Sequence, residues 1–190
     1  MSGDSALEVE RERRFELMYQ AHYQSIYNYA VRRVISAQEA ADVVADVFTT
    51  AWRRVDDVPL PPEERLWLYG VARRVLSEHR RSSMRRGRLL DRMKAGREPA
   101  PLDPVSEHHA RDRVLKAMAE LRPDDCEALR LVLWEELSHA DAGRVLDCSA
   151  NAVAIRVHRA KGRLREVLLA EQINDLPNAQ LHHPIDPTRS

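Results

Sequence analysis

Three groups of side chains in this chain are spaced to do chemistry. The first lies between Asn151 and Arg165, where Arg156, Arg159, Lys161, Arg163 and Arg165 occur with no acid before Glu166. Guanidinium and ammonium groups neutralise phosphates without regard to sequence. Interleaved with them, at helical spacing, are Asn151, Ala154, Ile155 and His158, short or planar side chains suited to base edges and thymine methyls. A helix with such a strip flanked by bases has the shape that enters a DNA major groove. The second group is Asp42 and Asp46, one helical turn apart, where two carboxylates repel unless a basic partner approaches. On spacing alone they are exposed acids complementing a helix dipole. The third is Trp67 among Arg73, Arg74, Arg80 and Arg81; a ring stacks on an unpaired base while guanidinium holds phosphate. Taken singly, that tryptophan reads as core and the arginines as a solvated face.

Other chemistries lack their residues. Cys126 and Cys148 have no companion cysteine at metal spacing, and the pairs His108-His109 and His182-His183 do not converge on one ion. There is no clustered acid site and no glycine-rich phosphate loop, so a nuclease or phosphotransferase is not expected, nor a metal or cofactor.

The elements that position these groups are all helices. Ser138 can cap a helix carrying Ala142, Val145 and Leu146 on one face, with Asp141 three residues on as a capping-box acid. Asp147-Cys148-Ser149 interrupts the pattern: Asp147 tolerates a left-handed turn and Ser149 caps the next helix. That helix buries Val153, Val157, Ala160 and Leu164. Two helices so close must cross, and the unit reads as a helix-turn-helix, which raises DNA binding well above the reading of a solvated basic face.

Upstream, Met1 to Val9 reads as loose. From Arg11, Phe15, Met18, Tyr19, His22, Ile26, Tyr29, Ala30, Val31 and Val34 mark a long helix, with Tyr23 and Tyr27 at its edge. Ser36 and Glu39 cap a second helix to about Val55, burying Val44, Val47, Phe48, Ala51 and Val55. The prolines Pro59, Pro61 and Pro62 make Asp56 to Glu64 a rigid loop. A third helix starts near Glu64 and carries Trp67, Leu68, Val71, Ala72, Val75, Leu76 and His79, with the arginines around it. Ser82 to Ser106 loses apolar periodicity and gains glycine and proline, so its later part reads as a linker. Val114, Leu115, Met118 and Leu121 mark a helix, Pro123 starts another, and Leu129, Val132, Leu133 and Leu137 complete it. After Leu169 the sequence is polar, broken by three prolines and expected to be disordered.

The expected fold class is all-α: two small helical domains joined by a flexible linker. The expected boundaries are a flexible 1–10, a first domain 11–86, a linker 87–106, a second domain 107–169 and a tail 170–190. With 30 Lys plus Arg against 30 Asp plus Glu the net charge is zero, so whole-molecule attraction to nucleic acid is not expected. The distribution is uneven instead. Bases dominate Arg65 to Arg97, and acids gather in Glu39 to Glu64 and Asp103 to Glu136, which suggests separate surfaces for separate partners. Sparse cysteine, no leader and no bilayer-length apolar run point to a reduced cytoplasmic chain without membrane insertion.

The series ADVVADVFTTAWRRV, then LWLYGVARRVLSEHRR, then a linker, then ALRLVLWEELSHADAGRVLDCSANAVAIRVHRAKGRLR resembles the bacterial sigma factors of the extracytoplasmic-function (ECF) group, over roughly Phe15 to Leu169. The resemblance implies that the first lobe is sigma domain 2 and the second sigma domain 4. It implies that Asp42, Asp46, Phe48 and Trp52 dock on the clamp helices of the largest catalytic subunit of core RNA polymerase, with domain 4 on the flap of the second subunit. The loop Val55, Asp56, Asp57, Val58, Pro59 and Leu60 would capture a flipped minus-10 base, and Trp67, Tyr69, Arg73, Arg74, Arg80 and Arg81 would bind the adjoining strand. Ser149, Asn151, Ala152, Ala154, Ile155, Arg156, His158, Arg159, Lys161 and Arg163 would meet the minus-35 element. An anti-sigma factor is a further expected partner. The sequence departs from the common pattern at Ala45, usually glutamine, Gly143, usually alanine, Asp147, usually glycine, and Ala154, commonly basic. A second reading is a stand-alone helix-turn-helix regulator that binds a palindrome as a dimer; it needs no polymerase, which separates the two.

Overall fold

The computed structural model describes residues 2–93, 114 and 116–174, with side chains described for 6–82, 114 and 116–170. Helix α1 spans Ser2–Val31. It starts at Ser2 rather than near Arg11 because Ala6, Leu7, Glu8 and Glu10 favour helix without forming a buried stripe. Farther along, Met18, Ile26, Tyr29 and Ala30 are buried, whereas Tyr19 and Val31 are exposed, contrary to the periodicity.

Helix α2 spans Ala37–Arg53, and the Ser36 hydroxyl accepts its cap bond from the Glu39 N–H at 3.1 Å. The Glu39 carboxylate reaches back to the Ile35 N–H at 3.3 Å, one residue earlier than a strict capping box. The inward face consists of Ala40, Val43, Val44, Val47, Phe48 and Ala51. The expected loop begins with a helical turn, Val55–Asp57 of 3₁₀ form, because Val55 and Val58 are pulled into the core. Helix α3 then runs Glu63–Met93, past the boundary expected at 86. Gly87 does not end it: a mid-helix glycine costs only about 1 kcal/mol, and no proline removes a donor before Pro99. The rest of the expected linker lies outside the described residues.

The second lobe has helical residues 116–119, then α4 (Pro123–Leu133), α5 (His139–Leu146) and α6 (Ala150–Asn174). Pro123 occupies the first turn of α4, where its missing N–H costs nothing. Helix α6 continues past Leu169 into the stretch expected to be tail; residues 175–190 lie outside the described set, as does Leu115. Leu133 is exposed, and Leu137 is buried from beyond the helix end. No strand occurs among the described residues. Buried side chains of α1, α2 and α3 and those of the second lobe form one continuous apolar cluster. Each fully buried Leu, Ile or Val contributes about 1.5–3 kcal/mol, so the packing joins the lobes as well as building them.

Candidate polymerase and nucleic-acid interfaces

The face of α2 opposite its buried stripe carries Asp42, Asp46 and Trp52, all exposed. Neither acid is bare. Asp42 Oδ1 accepts from Gln38 Nε2 at 3.1 Å, and Asp46 Oδ2 meets His79 Nε2 of α3 at 2.8 Å. The basic partner that two carboxylates a turn apart require is thus partly supplied from within. Phe48, read from the sequence as a docking residue, is 4% exposed and serves as packing. Its ring lies 4.7 Å from Tyr19 and 6.3 Å from Phe15, while Trp52 stands 5.2 Å from Phe15. Exposed Tyr19 and Tyr23 extend this aromatic strip along α1, a contribution that helical spacing assigned to the core or its edge.

The loop after α2 divides by burial. Val55 and Val58 point inward and cannot touch a base here; Asp56, Asp57 and Leu60 face outward and Pro59 is half-buried. Asp56 pairs with Arg11 at 3.3 Å and Asp57 with Arg54 at 3.2 Å, and Arg14 donates to the Val58 carbonyl, so the loop is fastened to α1. Leu60, 69% exposed, is left at the tip. On α3, Trp67 is half-buried with the Arg54 guanidinium 5.8 Å from its ring. Arg74, Arg80 and Arg81 are exposed and Arg73 half so. Tyr69 is the correction: 1% exposed, it packs 5.2 Å from the Tyr29 ring and belongs to the core rather than to a DNA surface. Aromatics beside arginines resemble a base-stacking site in sequence; only the fold shows which ring turns inward.

In the helix-turn-helix, Ser138 Oγ accepts from the Asp141 N–H at 3.0 Å and Ser149 Oγ from the Ala152 N–H at 3.1 Å. Val153, Val157 and Ala160 are buried; Asn151, Ile155 and His158 are exposed beside half-buried Ala152 and Ala154. The flanking bases are not all available. Arg159 pairs with buried Asp125 at 3.1 Å, Arg156 approaches Asp124 at 3.9 Å and the Cys148 thiol at 3.5 Å, and Arg163 pairs with Glu120 at 3.2 Å. Lys161 is exposed and makes no ion pair among the described residues.

The turn explains two departures from the common pattern. Asp147 sits in the left-handed region with φ 55° and ψ 50°, and a Cβ on Gly143 would lie 2.6 Å from the Cys148 carbonyl oxygen. The glycine stands where the turn descends onto the helix, and the strained conformation falls on a residue that tolerates it. Gly143→Ala should therefore destabilise the protein by about 1–3 kcal/mol, as overpacking does. Asp147→Gly should stabilise it by about 1 kcal/mol, both read by urea denaturation.

The lobes meet through a buried polar cluster. Arg33, whose side chain is 1% exposed, binds Glu127 at 3.1 Å and Glu135 at 3.0 Å; Tyr29 donates to Glu127 at 2.7 Å, and Arg65 donates to the Glu135 carbonyl at 2.7 Å. Burial works against ionising Glu127, yet the Arg33 guanidinium and the two hydrogen bonds outweigh it and hold the carboxyl below its usual range. Burial, reinforced by Glu127, raises the Tyr29 phenol well above its own range. A second cleft, of about 570 Å³, sets Trp67, Arg73 and Arg74 opposite Arg144, Val145 and Asp147 of the helix-turn-helix. The candidate strand-binding surface therefore looks onto the second lobe.

Comparison with known proteins accounts for this arrangement. Residues 18–86 match Sigma-70 region 2 and residues 111–164 match Sigma-70 region 4, in that order. The chain is 28% identical over 160 residues to the ECF RNA polymerase sigma factor BldN of Streptomyces coelicolor, covering 81% of this chain but only 60% of that protein. It is 28% identical over 173 residues to the ECF RNA polymerase sigma factor SigL of Mycobacterium tuberculosis, covering 88% of this chain and 94% of that one. Among solved structures, the fold matches the sigma factor RpoE in complex with the anti-sigma factor NepR from Bartonella quintana (TM-score 0.61, 24% identity, 83% of this chain and 98% of that one). It also matches CnrH in complex with the cytosolic domain of CnrY (TM-score 0.63, 22% identity, 84% and 90%). The chain belongs to the sigma-70 family, in its ECF group of RNA polymerase sigma factors. No helix among the described residues is long and apolar enough to cross a membrane.

Proposed function

We infer that this chain is a sigma factor that binds core RNA polymerase and directs promoter-specific transcription initiation. The observation that carries the reading is the pairing of region 2 and region 4 in family order, each with its own exposed charged face. The chain acts as a specificity subunit of polymerase rather than as an enzyme. Asp42, Asp46 and Trp52 form the docking face for the clamp helices, and region 4 takes the flap. Asp56, Asp57, Pro59 and Leu60, with Trp67, Arg73, Arg74, Arg80 and Arg81, engage the opened minus-10 strand; capture of an extruded base offsets a few kcal/mol of unstacking. Ser149 to Arg163 along α6 reads the minus-35 element. Parting of the lobes would break the Arg33 cluster and uncover Trp67 and Arg73 for that strand. RpoE, of like fold, is in complex with an anti-sigma factor, and an inhibitor of that kind is a fitting partner for a chain with two such surfaces.

A dimeric helix-turn-helix regulator would give no role to the acidic and aromatic face of α2, and it would shift duplex DNA unaided. Electrophoresis with purified core polymerase separates the two readings: promoter fragments should be retained only when core and this chain are both present. Retention by the chain alone, unchanged by core, overturns the sigma reading.

Within α6, positioning and reading are separable. Lys161→Ala should reduce the salt slope of holoenzyme binding by about one unit, as loss of one phosphate contact does. Arg159→Ala should also loosen α4 from α6, because it leaves buried Asp125 without its guanidinium. The Ala154 methyl can touch a thymine but cannot bind guanine, so Ala154→Arg should shift one minus-35 base toward guanine in a selection on randomised promoters. Recovery of the same motif would remove this position from the reading strip.

A further inference from the structure

A cleft between the lobes sets the α3 arginines assigned above to the minus-10 strand beside Arg130 of the second lobe, to which no contact has been assigned. It measures about 580 Å³, and its walls carry Arg33, Arg73, Arg74, Arg80 and Arg81 from the first lobe and Arg130 from the second. Two acids share the lining, and both are engaged: Glu127 with Arg33 at 3.1 Å and Asp124 with Arg156 at 3.9 Å. None of Arg73, Arg74, Arg80, Arg81 and Arg130 makes an ion pair with an acid among the described residues. The cavity is thus lined by five guanidinium groups with no ion-pair partner among the described residues, a concentration of like charge that an entering anion would relieve.

Buried donors in the same walls lack acceptors. Arg33 is nine-tenths buried, its Nη2 has no hydrogen-bond partner, and neither does the buried Nε of Arg130. Each such orphan costs about 1–3 kcal/mol, and since both are sealed from solvent they add positive charge behind the walls rather than contacts for an occupant. Several guanidinium forks turned toward one cavity suit phosphoryl oxygens, which accept from more than one fork at once, better than a lone carboxylate. The volume also falls in the range of small-molecule sites, about 300–1,000 Å³.

We propose that this cleft is a regulatory site for a small polyphosphate anion, which bridges Arg130 of the second lobe to the α3 arginines and holds the lobes closed. The inference rests on the closed arrangement alone and stands whether or not α3 binds the minus-10 strand. If α3 does so, the anion and the promoter compete for Arg73, Arg74, Arg80 and Arg81, and the ligand lowers initiation.

Isothermal titration of the full chain with inorganic tripolyphosphate tests this, at about 0.15 M ionic strength so that diffuse attraction is screened. Saturation at one site per chain is expected. Arg130→Gln should weaken binding by about tenfold or more while far-ultraviolet circular dichroism stays unchanged. Small-angle scattering should show the radius of gyration falling as tripolyphosphate is added. Should Arg130→Gln fail to fold, Arg80→Gln on the opposite wall tests the same bridge, with the same loss of affinity expected. The proposal is overturned by absence of saturable binding, or by affinity unchanged in the folded variant. It is equally overturned if single-stranded DNA saturates the site with the same arginine dependence while tripolyphosphate does not bind, since the cleft is then only the strand channel.

Discussion

Charge reversal at both carboxylates of α2, Asp42→Lys with Asp46→Lys, is expected to weaken core-polymerase binding by about 100-fold or more, in line with the several kcal/mol carried by close interfacial charges. Both residues are exposed and contribute nothing to the apolar core, so helix content by circular dichroism should be retained. The fold refines the expectation. His79 lies 2.8 Å from Asp46 and sets its direction, so His79→Ala should produce a smaller loss, confined to positioning. Affinity for core unchanged in the double variant would refute the docking assignment even if transcription fell for another reason.

The second large effect is expected at Arg33. Removing one partner of a buried ion pair costs about 3–5 kcal/mol, because the other charge stays buried without compensation. Arg33→Ala strands Glu127 and Glu135 together, and Glu135 is 4% exposed, so the lobes should separate or the whole domain pair should lose stability by that amount. The pH dependence follows from the same cluster. The depressed Glu127 contributes stability that is present above the ordinary carboxylate range and is lost as pH falls below about 4. The raised Tyr29 phenol acts at the other end: stability is present below its ordinary value and declines as pH rises past about 10. Urea denaturation across pH, with an inter-lobe distance from paired spin labels, should show both limbs in the native protein. An Arg33→Ala protein with native stability and native lobe distance would mean that the cluster does not hold the lobes.

What the sequence revealed follows the range of the forces involved. Ser36, Ser138 and Ser149 each bond a backbone N–H three residues on, so a local pattern suffices to find them. The stripes of α2 and α6 were legible for the same reason, since neighbours at helical spacing share one face. The lobe contact was not legible: Tyr29 and Glu127 stand 98 residues apart, and nothing near either names the other. Asp46 and His79, 33 apart, pose the same problem on a smaller scale. The resemblance put Tyr69 on the strand-binding surface, yet the helix turns that ring toward Tyr29. Helix α3 runs past residue 86 because a glycine in a helix without proline does not end it, which the loss of apolar periodicity after Ser82 did not reveal.

Transcription with purified core polymerase, with and without this chain, and with RNA 5′ ends mapped over a genomic template, decides whether the chain confers promoter choice. Starts should need both components and share two upstream elements at a fixed spacing, the distal one altered in sequence by Ala154→Arg and all of them lost with Asp42→Lys and Asp46→Lys. Start sites unchanged by the chain, while the chain alone forms a dimeric complex on duplex DNA, would contradict the sigma reading.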